Sequence, residues 1–145
     1  MEAFDPIFTI INKAGAAAGA AMAGNPKFQQ YLLTKKTWVY AGTMFHNEAK
    51  NQGVALASSA PPGWTIRFEH TIASGPGGSR LDVHAVGPNG QHIEVDWKTS
   101  GISALGSIKQ MEKHAKQLTQ PLTRQQSKAW LDFVRPHLPS GFKLP

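Results

Sequence analysis

The residues from Arg80 to Ser100 (RLDVHAVGPNGQHIEVDWKTS) constrain the fold more than any other stretch of the chain. Two runs of alternating apolar and polar side chains flank Gly87-Pro88-Asn89-Gly90, the signature of two antiparallel strands joined by a turn. Side chains two apart in a strand share a face, about 6.6 to 7 Å from each other. Glu94, Asp96 and Lys98 therefore project together, and Ile93, Val95 and Trp97 point the other way. On the first run Leu81, Val83 and Ala85 share one face while Asp82 and His84 share the other. Burying both apolar faces together brings Asp82 beside Asp96 and Lys98.

Carboxylates that close repel one another, and a purely structural strand gains nothing from the arrangement. A divalent cation removes the conflict. Oxygen ligands without cysteine suit Mg²⁺ or Mn²⁺, and a neighbouring lysine can orient water or neutralise charge developing on a phosphate. An Asp, a hairpin and then Asp96-Trp97-Lys98 after an apolar run resembles the PD-(D/E)xK nuclease superfamily, with its restriction-endonuclease-like fold. The resemblance implies that Asp82 and Asp96 are the metal-binding acids and Lys98 the motif lysine. The literal Pro-Asp pair is absent, because Leu81 precedes Asp82. The competing reading of this face is a solvated, charge-decorated hairpin surface.

A length of 145 residues fits one domain with a single core. Without cysteine there are no disulfides, thiolate zinc sites or Cys nucleophiles. His92-Ile93-Glu94 matches half of a zinc-deaminase motif, but the cysteines that motif needs do not exist. The net charge of +6 is unevenly placed: beyond Ser100 seven basic residues face two acidic ones, whereas the hairpin carries three acids and two bases. A locally acidic site within a basic chain suits a metal-dependent enzyme acting on a polyanion. A basic surface that serves only solubility is the plainer alternative.

Residues 1–36 read as an Ala/Gly-rich helical leader or linker and 37–145 as the nuclease domain. The stretch from Ala14 to Gly24 is too rich in small residues to span a membrane. Gly42 to Gly53 reads as a helix with Thr43 as N-cap. His46 and Glu48 lie about 200° apart on it, so one of them can face a site; His46 fits the family spacing and Glu48 is the better metal ligand. Trp64 to Ile72 alternates as a half-buried strand. Ser103 can cap a helix reaching about Leu118, whose Gln110 the resemblance turns toward the site, and Thr123 to Arg135 reads as another amphipathic helix. The expected fold is α/β (α+β): an N-terminal helix, a three-stranded antiparallel meander carrying the site, and two C-terminal helices. The fourth strand usual in the superfamily is missing from this reading, and the resemblance covers about residues 41–118.

The function so implied is a Mg²⁺-dependent endonuclease cleaving DNA, with Asp82, Asp96, Lys98, Gln110, His46 and Glu48 in the site and Asp82, Asp96 and Glu48 as ligands. Lys109, Lys113, Lys116 and Arg80 would bind the nucleic acid. Small basic nucleases with such a leader resemble toxin domains of bacterial polymorphic toxins and secretion-system effectors. That resemblance implies delivery into a target-cell cytoplasm and an acidic cognate immunity protein; a cytoplasmic repair nuclease shares the motif. Two further readings are an RNase using His84 and His92 as a metal-free acid–base pair, and a non-enzymatic basic module that binds nucleic acid or protein.

Overall fold

A computed structural model describes residues 5–73, 75, 79–98, 109, 112–114, 116–117 and 124–145. Helix α1 (Asp5–Ala23) buries Ile7, Ile11, Ala14, Ala18 and Met22 at three-to-four spacing. Its glycines are packing surfaces: a Cβ on Gly19 would collide with the Phe133 backbone, and one on Gly15 would press on the Phe133 ring. The Ala/Gly-rich stretch is therefore packed into the core, in the same apolar cluster as Val83, Ile93 and Val95. Helix α2 (Pro26–Leu32) begins with Pro26 in its first turn and with Asn25 as N-cap, whose side chain accepts from Phe28 N at 3.0 Å.

Helix α3 (Trp38–Leu56) starts a turn earlier than its sequence suggests. Thr43 is consequently interior, and its hydroxyl donates back to Val39 O at 3.1 Å instead of capping. One face of α3, formed by Ala41, Phe45, Ala49 and Gly53, packs on the sheet; Gly53 leaves room for the Phe68 ring. Phe45 lies against Trp97 and Trp130, with ring centroids 5.6 and 6.0 Å away.

Strands β1 (Thr65–Ala73), β2 (Ser79–Val86) and β3 (His92–Lys98) form the expected antiparallel meander. The turn closes through Gly87 N to Gln91 O at 2.9 Å, and Gly90 adopts φ +77°, a conformation that favours glycine. The sheet does not stop at three strands. Residues 124–129, expected as the start of a helix, form β4 (Arg124–Ala129), parallel to β3 with Asp96 opposite Ser127 and Trp97 opposite Lys128. A parallel neighbour needs a crossover, and helical residues at 109, 112–114 and 116–117 lie between the two strands. Only the end of the expected last helix is helical, as α4 (Trp130–Val134). The fold is thus mixed α+β around a four-stranded sheet in the order β1-β2-β3-β4.

Leu81, Val83, Ala85, Ile93, Val95 and Trp97 are buried, as the alternation requires. The polar face is not solvated, however. His84, His92, Glu94 and Asp96 are buried as well, and β3 is covered on both sides. Among the described residues no helix is long and apolar enough to cross a membrane.

Candidate metal centre

The register between β2 and β3 runs from Val86–His92 to Val83–Val95 and ends there. The next residues are Asp82 and Asp96. In place of a further rung, Asp82 Oδ2 accepts from Trp97 N at 2.7 Å, a short charge-assisted bond. An aspartate has replaced a backbone carbonyl in the ladder, which leaves its other oxygen, Oδ1, available to a site.

His46 approaches Asp82 from α3. Its Nε2 lies 3.2 Å from Trp97 O. A carbonyl only accepts, so Nε2 carries the proton and Nδ1 faces the opposite way, 3.3 Å from Asp82 Oδ1 and 3.4 Å from Glu69 Oε1. His46, Glu69 and Asp82 each offer one ligand atom, all within 4.8 Å of one another. Two ligand atoms at right angles on an ion at 2.1–2.2 Å stand about 3 Å apart, close to the two separations found here. An imidazole that donates its far N–H to a backbone carbonyl is held as metal-ligating histidines are held.

Glu69 reaches this point through an irregular backbone. It has φ +53°, the only positive φ among described non-glycine residues. For a side chain with a Cβ this left-handed conformation costs about 1–2 kcal/mol. Before it, Ile66 and Phe68 face the core and Arg67 faces away; after it, His70 has joined the Arg67 side, where its ring stacks on His84. The strained residue is thus also the one that turns a carboxylate toward His46.

The electrostatics follow from crowding. Burial alone would lower the His46 pKa, but hydrogen bonds and charge from Asp82 and Glu69 outweigh it and raise the ring to about 9. Asp96 is raised to about 8 by burial, by the neighbouring Glu94 carboxylate to which it is hydrogen-bonded, and by Asp82, with Lys98 opposing. Glu94 is fully buried, and His114 Nδ1 donates to it at 2.7–2.8 Å. Burial lowers the pKa of His114, helped by Lys113 and Lys98 and opposed by Asp96 and Asp82. Protons on His46 and Asp96 lessen the negative charge that the cluster holds.

Of the residues singled out from sequence, Asp82 and His46 meet directly, and Asp96 and Lys98 feel each other's charge beside them. Glu48 does not join this group; its Oε1 accepts from Gln52 Nε2 at 2.8 Å on the same helix. Gln110 and the Arg80 side chain lie outside the described residues, while Lys109, Lys113 and Lys116 are exposed. Glu69, Glu94 and His114 were not foreseen as site members. Glu69 could have been, since continuing the β1–β2 register between Phe68–Val83 and His70–Leu81 sets it opposite Asp82.

A second polar group crosses the same strands. His70 Nδ1 and His84 Nδ1 are 3.0 Å apart, as are His84 Nε2 and His92 Nδ1, with the rings stacked. Burial, with the neighbouring histidines and Arg67, lowers His84 to about 4. Compared with protein-family models, curated proteins and solved structures, the chain matches none.

Proposed function

We propose that this chain is a metal-dependent phosphodiesterase that cleaves DNA, with its centre at His46, Glu69, Asp82, Asp96 and Lys98. The observation that carries the reading is the convergence of one imidazole nitrogen and two carboxylates where β2 and β3 part, next to the Asp96-Trp97-Lys98 strand. The order helix, three antiparallel strands, helical crossover and parallel strand supports the restriction-endonuclease-like comparison, because β4 fills the place that the sequence left open. One imidazole among carboxylates suits Mn²⁺ better than an all-oxygen site would, and Mg²⁺ remains compatible. Glu69 and His46 take the ligand role that sequence offered to Glu48.

A bound divalent ion would polarise a phosphoryl oxygen and acidify a water. The chain's own residues do the rest. Asp82 clamps the end of β3 through Trp97 N and so fixes where Asp96 and Lys98 stand. Asp96, once ionised, would take a proton from an attacking water. Lys98 supplies positive charge to the phosphate as its negative charge grows. The toxin assignment, with an acidic immunity protein as partner, rests on resemblance alone.

Incubating the purified chain with plasmid, single-stranded DNA and RNA, in Mn²⁺, Mg²⁺ or EDTA, tests the reading. Metal-dependent, EDTA-sensitive DNA cleavage is expected. RNA cleavage that survives EDTA would instead favour the His84/His92 reading, which the present geometry disfavours because those rings are buried and bonded to each other. Binding without cleavage in any metal would leave the non-enzymatic module.

A further inference from the structure

No acidic residue stands between Asp5 and Glu48, while Lys27, Lys35 and Lys36 are exposed at the corner between α2 and α3. The same corner holds the large apolar side chains Leu33, Val39 and Tyr40, which are 56 %, 63 % and 56 % exposed. Apolar side chains gathered on a surface and rimmed by one sign of charge mark a binding site. Its floor is aromatic. The Tyr31 and Tyr40 rings lie 5.4 Å apart at 45°, Lys27 Nζ sits 5.9 Å above Tyr31, and Lys35 Nζ sits 5.9 Å above the ring of Trp38.

The shelf leads somewhere. A cleft of about 280 Å³ bounded by Lys27, Tyr31, Tyr40 and Thr43 shares Thr43 with a second cleft of about 220 Å³, and that one is bounded by Val39, Gly42, Trp130 and His46. Tyr40 and His46 lie on one helix, about 9 Å of rise and 120° around its axis apart. The two clefts meet at Thr43 between them, and a strand whose base stacks on Tyr40 can follow them round the helix to His46.

We propose that the α2–α3 corner is a stacking platform for unpaired nucleotides of a DNA strand entering that centre. The destination rests on the nuclease reading; the binding does not. Rings offer any base a stacking face, and lysines offer its phosphates counter-charge, the combination by which single strands are held. A duplex keeps its base faces covered except at its ends. The threonine hydroxyls along the shelf turn inward: Thr43 to Val39 O at 3.1 Å, Thr37 to Tyr31 O at 2.6 Å, and Thr34 to Thr37 at 2.9 Å. Stacking on the rings and charge from the lysines are the interactions the shelf offers a strand here, and neither calls for a 2′-hydroxyl.

Fluorescence anisotropy in EDTA, with a labelled DNA single strand of about 15 nucleotides, its blunt duplex and the RNA of the same sequence, tests the platform. The wild-type chain should bind the DNA single strand more tightly than the duplex. Tyr31→Ala/Tyr40→Ala should weaken single-strand binding on the order of 10- to 100-fold and leave duplex binding nearly unchanged, while Tyr40→Phe keeps it. Lys35→Ala/Lys36→Ala should shallow the salt dependence by about 1.4 in logarithmic slope. If the double tyrosine variant melts early, Tyr40→Ala alone serves, because that side chain is largely exposed. Undiminished single-strand affinity in the tyrosine variants, equal losses on duplex and single strand, or tighter binding of the RNA would each overturn the proposal; the first would give the patch to a protein partner. Since EDTA separates binding from chemistry, selective binding without cleavage in Mn²⁺ overturns the nuclease reading alone, and cleavage without selective binding overturns the platform alone.

Discussion

The histidine row of His70, His84 and His92 lies on the same strands as Glu69 and Asp82, which meet His46 of α3 beside Asp96, yet the electrostatics of the two groups run in opposite directions. In the row the rings hydrogen-bond to one another, and a proton added to His84 would meet burial and nearby positive charge, so His84 falls to about 4. In the centre, carboxylates crowd together and pull protons in, so His46 rises to about 9 and Asp96 to about 8. Close polar side chains are therefore not enough to mark a site. In the row the rings bond to one another, whereas in the centre carboxylates face one another, and a bound cation would relieve that crowding.

Substitutions in the centre should show this difference first in catalysis. Asp82→Asn should abolish measurable DNA cleavage, a loss of at least about 10³, because a ligand and the clamp on Trp97 N weaken together. Lys98→Ala should cost about 10² to 10³ in rate while Mn²⁺ affinity persists, since no ligand is removed. A cleaving Asp82→Asn would end the comparison.

Metal affinity should separate the two groups next. His46→Ala is expected to weaken Mn²⁺ binding about 10- to 100-fold. His84→Phe should leave Mn²⁺ affinity unchanged and lower stability by about 1–3 kcal/mol, because buried partners lose their hydrogen bonds. Calorimetry and urea unfolding on the two variants give both numbers, and equal metal losses would mean that row and centre act as one site.

The pH dependence of stability sharpens the contrast. A folded-state pKa raised above the unfolded one means that stability is lost as pH rises. His46 contributes this loss between about 6.5 and 9, and Asp96 between 3.8 and about 8. His84 is depressed, so its contribution is lost as pH falls from 6.5 toward about 4, partly cancelling the Asp96 slope there. The metal-free melting temperature should accordingly fall on the order of 10 °C from pH 6.5 to 9. Saturating Mn²⁺ should flatten the fall, and Asp96→Asn should reduce it. A metal-free curve that rises over this range would contradict the assigned protonation.

The smallest expected effect is a control. Glu48→Gln should leave Mn²⁺ affinity and cleavage within about two-fold, since Glu48 pairs with Gln52.

The hairpin was legible because period and turn agree, and with it the placing of Asp82 near enough to Asp96 to act on its charge. Strand β4 was not: Arg124-Gln125-Gln126-Ser127-Lys128-Ala129 has no apolar alternation and few strand-favouring residues, and it is extended because it completes the edge of β3. The β1–β2 register sets Glu69 opposite Asp82, but regular alternation gives no sign of the left-handed backbone that turns its carboxylate toward His46. The burial of Glu94 depends on His114, twenty residues away, which no local pattern announces. Short-range period fixed which residues share a face. What meets that face, as His114 meets Glu94, comes from residues distant in the chain.

The most direct test of the central claim, that the carboxylate cluster holds a metal in place of protons, is Mn²⁺ titration calorimetry at pH 7 in buffers of differing ionisation enthalpy. With His46 near 9 and Asp96 near 8, both groups are protonated at that pH without metal. Binding should release between about one and two protons, and Asp82→Asn should abolish the heat. Absence of binding, binding without proton release, or undiminished binding in Asp82→Asn would contradict the account.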